Sequence, residues 1–419
     1  MAVIPALART PATDPFVILA GGPGQAATSY APWVASFFAR IRRERDILLV
    51  DQRGTGASHP LPCPLTEAEG AVLPPAPSEA AVRSCVESLD GDLRQYTNAP
   101  AMEDLDEVRA VLGYPRVNIW AGSYGTRAAL VYMRAHPDRV RAVVLDGVTP
   151  WSLRYPLYTA RDGDRALRRL LDDCAIDHDC YAAFPALETH LTQVLESLAA
   201  RPAALSVRHP RTGELTAFTV SRDLFGSALR TFLYVPTQAS LVPLIIERAR
   251  VGDFGPFAAM VQAVAGWASD TMSLGMTMSV LCSEDVPRIR DEEIAPVTQG
   301  TVVGGGEIAA WKAACGEWPR AEIPATATTP VTFAGPVLIL SGDLDPVVPP
   351  SWGEEVHATL PRARHLVAPG VGHNVTPYGC APSLIAEFVS KGAAEGLDDS
   401  CLKTLSRPPF VTSLSGARP

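Results

Sequence analysis

Apolar residues along the chain cluster into short unbroken runs, each ending in a glycine-rich turn. FVILA at 16–20 runs into GGPG, and ILLV at 47–50 runs into DQRGTG. PRVNIW (115–120) and RVRAVVLDG (139–147) repeat the pattern, as do PVLILSGDLDPVVP (336–349) and RARHLVAPGVGHN (362–374). Runs that are apolar throughout, with no in-out alternation, predict strands buried on both faces, as in a parallel sheet with helices above and below. Helix-period segments lie between them. At about 101–112, Leu105, Val108 and Leu112 share a face and Gly113 follows as a C-cap. TRAALVYMRAH (126–136) is a second helix, closed by His136, and SLIAEFVSKGA (383–393) a last one.

Between about 151 and 330 the pattern changes. Segments such as ALRRLLDDC and LVPLIIERARVGDF are helical, and ALSVRHPRTGELTAFTV reads as a hairpin. The expectation is an α/β fold: a doubly wound, mostly parallel sheet in two parts, 1–150 and 331–419, with a mostly helical cap inserted over 151–330. An insertion after the fourth of these strands can cover the carboxyl edge of the sheet, where such folds bind ligands. No internal repeat is present, and AVLPPAPSEAA (71–81) reads as an exposed loop.

Composition narrows the class. The 419 residues are 47% hydrophobic and 19% charged, enough to bury a large core. Net charge is −9 with no long basic run, which argues against nucleic acid and anionic membranes as partners. No run approaches the ~20 apolar residues of a membrane span.

Eight cysteines fall as four near-neighbour pairs, at 63 and 85, 174 and 180, 282 and 315, 380 and 401. Spacing alone leaves about a hundred pairings open. None has C-x-x-C spacing, which weakens zinc and redox readings. The acidic CAIDHDC segment (174–180) fits a short disulfide-closed loop better than a metal loop. Disulfides imply an oxidising compartment, yet MAVIPALARTP lacks the parts of a signal peptide. The expectation is a periplasmic or secreted protein whose signal lies outside this chain.

One turn carries chemistry. In NIWAGSYGT (118–126), Ser123 stands between an apolar strand and a helix. A strand-to-helix turn that lifts a nucleophile needs small residues two before and two after it. Those are Ala121, where a strict motif has Gly, and Gly125. A serine is a weak nucleophile without a base, and the base should follow in the order Ser, Asp, His. His373, in the glycine-flanked loop GVGHN, is the candidate base. Asp345, at the end of an apolar strand and stiffened by Pro346, is the candidate acid. Asp343 is a competitor that also fits a turn cap, and Asp146 is a competitor that ends the strand after Ser123. The candidate oxyanion donors are the backbone N–H groups of Tyr124, just after the serine, and Gly22 in GGPG, since Pro23 has none.

In that order, GGPG, DQRGTGAS, AGSYGT, SGDLDPVVP and GVGHN resemble an α/β-hydrolase. More narrowly they are similar to the serine peptidases that include proline iminopeptidase and the secreted bacterial tripeptidyl aminopeptidases. LCSEDVP (281–287), CGEWP (315–319) and the C-terminal cysteines resemble the latter group. The resemblance covers most of 15–405 and is weakest in the middle of the insertion. It departs at Ala20, where His or Pro usually opens the glycine loop, and in a later start than family members have.

The resemblance implies Ser123 as nucleophile, Asp345 as orienting acid and His373 as base. It also implies export and disulfides Cys63–Cys85, Cys174–Cys180, Cys282–Cys315 and Cys380–Cys401. The implied activity is release of residues or short peptides from a free amino end through an acyl-enzyme, with neither metal nor organic cofactor. A carboxylesterase using the same machinery is the alternative, and a non-catalytic binder on the same fold a remote one. Reading an amino end needs an anion for the ammonium. Glu284 is the candidate, while Asp285 reads better as a surface acid beside a disulfide. Trp311 and Trp318 could line the acyl pocket, though core packing suits them better.

Overall fold

A computed structural model describes residues 1–63, 76–208 and 213–415. Seven strands form one sheet in the order β1-β3-β2-β4-β5-β8-β9. They are β1 (Ala2–Ile4), β2 (Phe16–Leu19), β3 (Ile47–Leu49), β4 (Val117–Gly122), β5 (Val140–Asp146), β8 (Val337–Gly342) and β9 (Ala363–Ala368). All neighbours are parallel except β1, which pairs antiparallel with β3, Ala2 opposite Leu49. β1 lies in a stretch read from the sequence only as lacking the parts of a signal. Its AVI core is too short to stand out from a leader.

Apolar runs form these strands because the sheet is covered on both sides. Alternate residues go to opposite cores: Phe16, Ile18, Leu49, Val144 and Leu340 to one, Val17, Leu19, Leu48, Val143 and Ile339 to the other. Each fully buried Leu, Ile or Val contributes about 1.5–3 kcal/mol relative to exposure. Helix Tyr124–Ala135 packs with the second core and helix Ala381–Lys391 with the first. Helix Asn98–Val111 starts three residues before the sequence expectation, and Gly113 follows it at φ +77°.

Between β5 and β8 lie mostly helices, among them Thr159–Ile176, Leu187–Ala200, Arg222–Phe232 and Gly255–Thr271. They enclose a core of their own, including Leu170, Phe225, Phe232 and Phe257. The expected hairpin is there as β6 (Ala203–Arg208) and β7 (Leu215–Val220), antiparallel; its tip, 209–212, lies outside the described residues. So does 71–75 of the loop expected at 71–81, whose last residues begin helix Glu79–Ser88.

All eight cysteines are bonded in the pairs the family resemblance implied: Cys63–Cys85, Cys174–Cys180, Cys282–Cys315 and Cys380–Cys401. Among the described residues, no helix is long and apolar enough to cross a membrane, and no cluster of three or more His, Cys, Asp or Glu could hold a metal ion.

Candidate active site

β4 ends at Gly122 and a helix begins at Tyr124, leaving Ser123 alone in the turn at φ +54°, ψ −126°. A non-glycine residue in that region costs on the order of 1–3 kcal/mol and is held by its surroundings. The surroundings are close. A Cβ on Gly125 would sit 2.4 Å from the Leu19 carbonyl, so nothing larger fits there. The Ser123 carbonyl accepts from the Thr126 backbone N–H (2.8 Å), the Thr126 hydroxyl (2.6 Å) and the Thr149 hydroxyl (3.1 Å). Its own N–H donates to the Asp146 carbonyl at 2.9 Å.

His373 and Asp345 come together from two further loops. The imidazole Nδ1 lies 2.7 Å from Asp345 Oδ2, while Oδ1 of the same carboxylate accepts from the backbone N–H groups of Val347 (2.8 Å) and Val348 (2.9 Å). Asp345 is fully buried. Burial pushes its pKa up, but His373 and the donated hydrogen bonds outweigh burial and hold it below the usual carboxylate value. For His373 burial acts downward, and the Asp345 carboxylate more than offsets it, so the imidazole pKa is raised. Gly147, directly after β5, joins the loops: a Cβ there would lie 3.1 Å from His373 Cε1, and the neighbouring Asp146 carbonyl binds Ser123.

The competing acids are occupied elsewhere. The Asp146 carboxylate, also fully buried, accepts from Val375 N–H (2.7 Å), Thr376 N–H (2.8 Å) and the Thr376 hydroxyl (2.6 Å). It ties down the chain just after His373. Asp343 accepts from the Gly370 N–H at 2.8 Å, which is the turn cap that the sequence offered as its alternative role.

The glycine loop lies against the serine. A Cβ on Gly21 would sit 3.3 Å from Ser123 Cβ. Gly22 follows at φ +111°, and a Cβ there would reach 2.8 Å from the Met272 methyl. The segment after helix Gly255–Thr271 seals this loop. Ser273 N–H donates to Gly24 O at 2.8 Å, and the Thr277 hydroxyl to Pro23 O at 2.5 Å.

Glu284 and Asp285 occupy a turn of π-helix, Leu281–Asp285, that turns both side chains inward. Glu284 accepts from the Asn98 backbone N–H (2.8 Å) and side-chain amide (2.6 Å). Burial lifts its pKa to about 7. The phenol of Tyr124, next to the serine, is pushed up by its own burial and by the Glu284 charge. Asp285 is not the surface acid expected; it is 1% exposed, and both its oxygens lie 2.8 Å from one Arg127 nitrogen. The reason is Arg127 on the helix after Ser123, a partner that sequence spacing could not assign. Trp311 and Trp318 pack in the core around Cys282–Cys315.

Sequence reasoning missed the contacts from the insertion. Tyr234 accepts the His373 N–H on its carbonyl (2.8 Å), and its ring stands edge-on to the imidazole at 5.0 Å. Arg165 donates to the Asp345 carbonyl (2.8 Å) and the Asp343 carbonyl (3.1 Å). No local motif marks either residue.

A strained serine turn over a parallel sheet, with an aspartate-bound histidine on loops that follow strands β8 and β9 of the same sheet, is the arrangement of an α/β-hydrolase, and the chain has the fold of that family. The family's sequence profile, described as alpha/beta hydrolase fold, matches residues 14–172, and that of the TAP-like proteins matches 302–401. Serine protease Hip1 of Mycobacterium tuberculosis is 26% identical over 429 residues, which cover 92% of this chain and 80% of the relative. Tripeptidyl aminopeptidase of Streptomyces coelicolor is 32% identical over 145 residues, covering 30% of this chain and 27% of that protein. Proline iminopeptidase of Neisseria gonorrhoeae is 29% identical over 135 residues, 32% of each. The chain is a serine hydrolase.

Proposed function

We propose that this serine hydrolase is an exopeptidase that releases short peptides or residues from the free amino end of a peptide. Ser123 attacks the carbonyl while His373 takes its proton and passes it to the leaving amine. Asp345 holds the imidazole in the tautomer that leaves Nε2 free for this work. The N–H groups of Gly22 and Tyr124 receive the oxyanion, and water then releases the acyl-enzyme. Residues 151–330 act as the cap that restricts access to peptide ends. The observation that carries the reading is the 2.7 Å bond between Asp345 and His373, linked through Gly147 and the Asp146 carbonyl to a serine in a strained turn. The relatives' names support peptide over ester. Glu284 reads the substrate ammonium from behind Tyr124, and the four disulfides support work outside the cytoplasm, in the periplasm or medium.

The test has two arms. A fluorophosphonate probe labels wild type at Ser123 and leaves Ser123→Ala unlabelled; absence of labelling in folded wild type overturns the mechanism. Tripeptidyl arylamides with a free amine are then compared with their N-acetyl forms and with simple esters. Equal rates on blocked and free amines overturn the exopeptidase reading and leave the triad standing.

A further inference from the structure

A cavity of about 590 Å³ opens between the chain that leaves β5 and helix Pro350–His357. None of Ser123, Asp345, His373 and Gly22 lines it. That volume is ample for a small organic molecule. Its walls carry three guanidiniums, Arg154, Arg161 and Arg288, and three large rings, Trp151, Tyr158 and Trp352. Leu130, Val331 and Val356 add aliphatic side chains, and prolines and hydroxyl residues fill out the rest. Among the described residues Glu355 is the one carboxylate in the lining, and it already accepts the Ser152 hydroxyl.

The cations are built in, not scattered over the surface. The Arg161 guanidinium lies 4.4 Å from the Tyr158 ring centroid and 5.4 Å from that of Trp352. Arg288 lies 5.4 Å from the Trp151 ring, and Arg154 lies 5.7 Å from Tyr158. Their carboxylate partners, Asp162, Asp285 and Glu293, hold them but are not part of the cavity wall. Arg161 is held through Nε alone, to Asp162 at 2.8 Å, and its side chain is 44% exposed. Burial, opposed by Asp285 and helped by Arg127 and Arg154, pushes the Arg288 pKa down. A second observation points to a ligand. The indole N–H of Trp151, which is 6% exposed and part of this wall, has no hydrogen-bond partner among the described residues. A buried donor without an acceptor is costly, and a bound acceptor removes the cost.

We propose that this cavity is a binding site, separate from the hydrolytic centre, for a small carboxylate carried on a flat apolar body. The guanidiniums supply charge-assisted, fork-shaped donors for the carboxylate. The aromatic and aliphatic walls take the flat body, and the indole N–H of Trp151 supplies a further donor. The inference does not depend on the peptidase reading, because no residue of that machinery forms the wall.

Two tryptophans in the wall make the test direct. Sodium benzoate, benzyl alcohol and inorganic phosphate are titrated into the disulfide-bonded full chain while tryptophan fluorescence is followed, with calorimetry in parallel. Benzoate saturates with a dissociation constant on the order of a millimolar or tighter. Benzyl alcohol, lacking the charge, and phosphate, lacking the flat body, each bind at least roughly tenfold more weakly. Arg161→Gln and Tyr158→Leu each weaken benzoate by about fivefold or more while arylamide turnover holds. Ser123→Ala binds benzoate as wild type does. Lack of saturable benzoate binding overturns the proposal. Binding unchanged in both Arg161→Gln and Tyr158→Leu, or lost in Ser123→Ala, places benzoate elsewhere and overturns it equally.

Discussion

The backbone N–H of His373 donates to the carbonyl of Tyr234 at 2.8 Å, so the proposed base hangs from a residue of the inserted region. Gly372 makes that approach possible, since a Cβ there would fall 2.4 Å from the same carbonyl. Arg165, on helix Thr159–Ile176, grips the acid's loop through the Asp345 carbonyl. Both loops are thus braced by residues of the inserted region. Replacing Arg165 with Met should lower kcat about tenfold with KM changed less than roughly twofold, since small displacements of reacting groups are costly. Steady-state kinetics on a free-amine arylamide decides this. A rise in KM with kcat unchanged would show that Arg165 touches substrate instead.

In the proposed mechanism the Asp345–His373 pair sets the pH dependence. The imidazole works as a base only when neutral, and Asp345 raises its pKa. Activity is therefore lost as pH falls through a value above the ordinary 6.5 of the free side chain. In Asp345→Asn the acid limb of kcat/KM should move to lower pH, while kcat drops by roughly 10⁴ through loss of the productive tautomer. An unmoved limb in the variant would mean that the titrating group is not His373.

The sheet was legible, and the three residues proposed to react could be singled out, because each rests on a local signal. Apolar runs that end in glycines are hard to place except as covered parallel strands. Ser123, Asp345 and His373 each sit at such an end. Arg165, Tyr234 and Thr149 carry no such mark: their roles arise from contacts across the chain, between segments whose positions only the fold sets. The burial of Asp285, expected at the surface, was missed for the same reason. Its segment, LCSEDVP, looks exposed beside a cysteine, and only the π-helical turn together with Asn98 and Arg127 makes an interior of it. β1 was missed because three residues are too few to show a pattern.

Asp146 holds the His373 loop from outside the proposed proton relay. Its carboxylate satisfies two backbone N–H groups and one hydroxyl, all buried. Asp146→Ala leaves those donors without a partner, which should cost about 3 kcal/mol of stability or more. Asp146→Asn keeps the volume but turns an amide donor toward donors, so it too should be destabilised. Chemical denaturation gives the stability and a fluorophosphonate rate gives the activity. Full stability in Asp146→Ala would show that the loop is held by other contacts.

Glu284 offers a different pH signature. Burial lifts its pKa from an ordinary 4.5 to about 7, so folding favours the protonated acid. The sign follows: the folded state is least penalised below pH 4.5, and the penalty grows as pH rises through 4.5 towards 7, reaching on the order of 3 kcal/mol above that. Glu284→Gln keeps an acceptor for Asn98 and never ionises. Its melting temperature should match wild type near pH 4.5 and exceed it at pH 8. The same variant reads the proposed substrate role. If the carboxylate receives the substrate ammonium, Glu284→Gln raises KM for free-amine arylamides about tenfold and leaves fluorophosphonate labelling of Ser123 intact. A variant that is more stable at pH 8 yet unchanged in KM would keep the burial and remove Glu284 from substrate recognition.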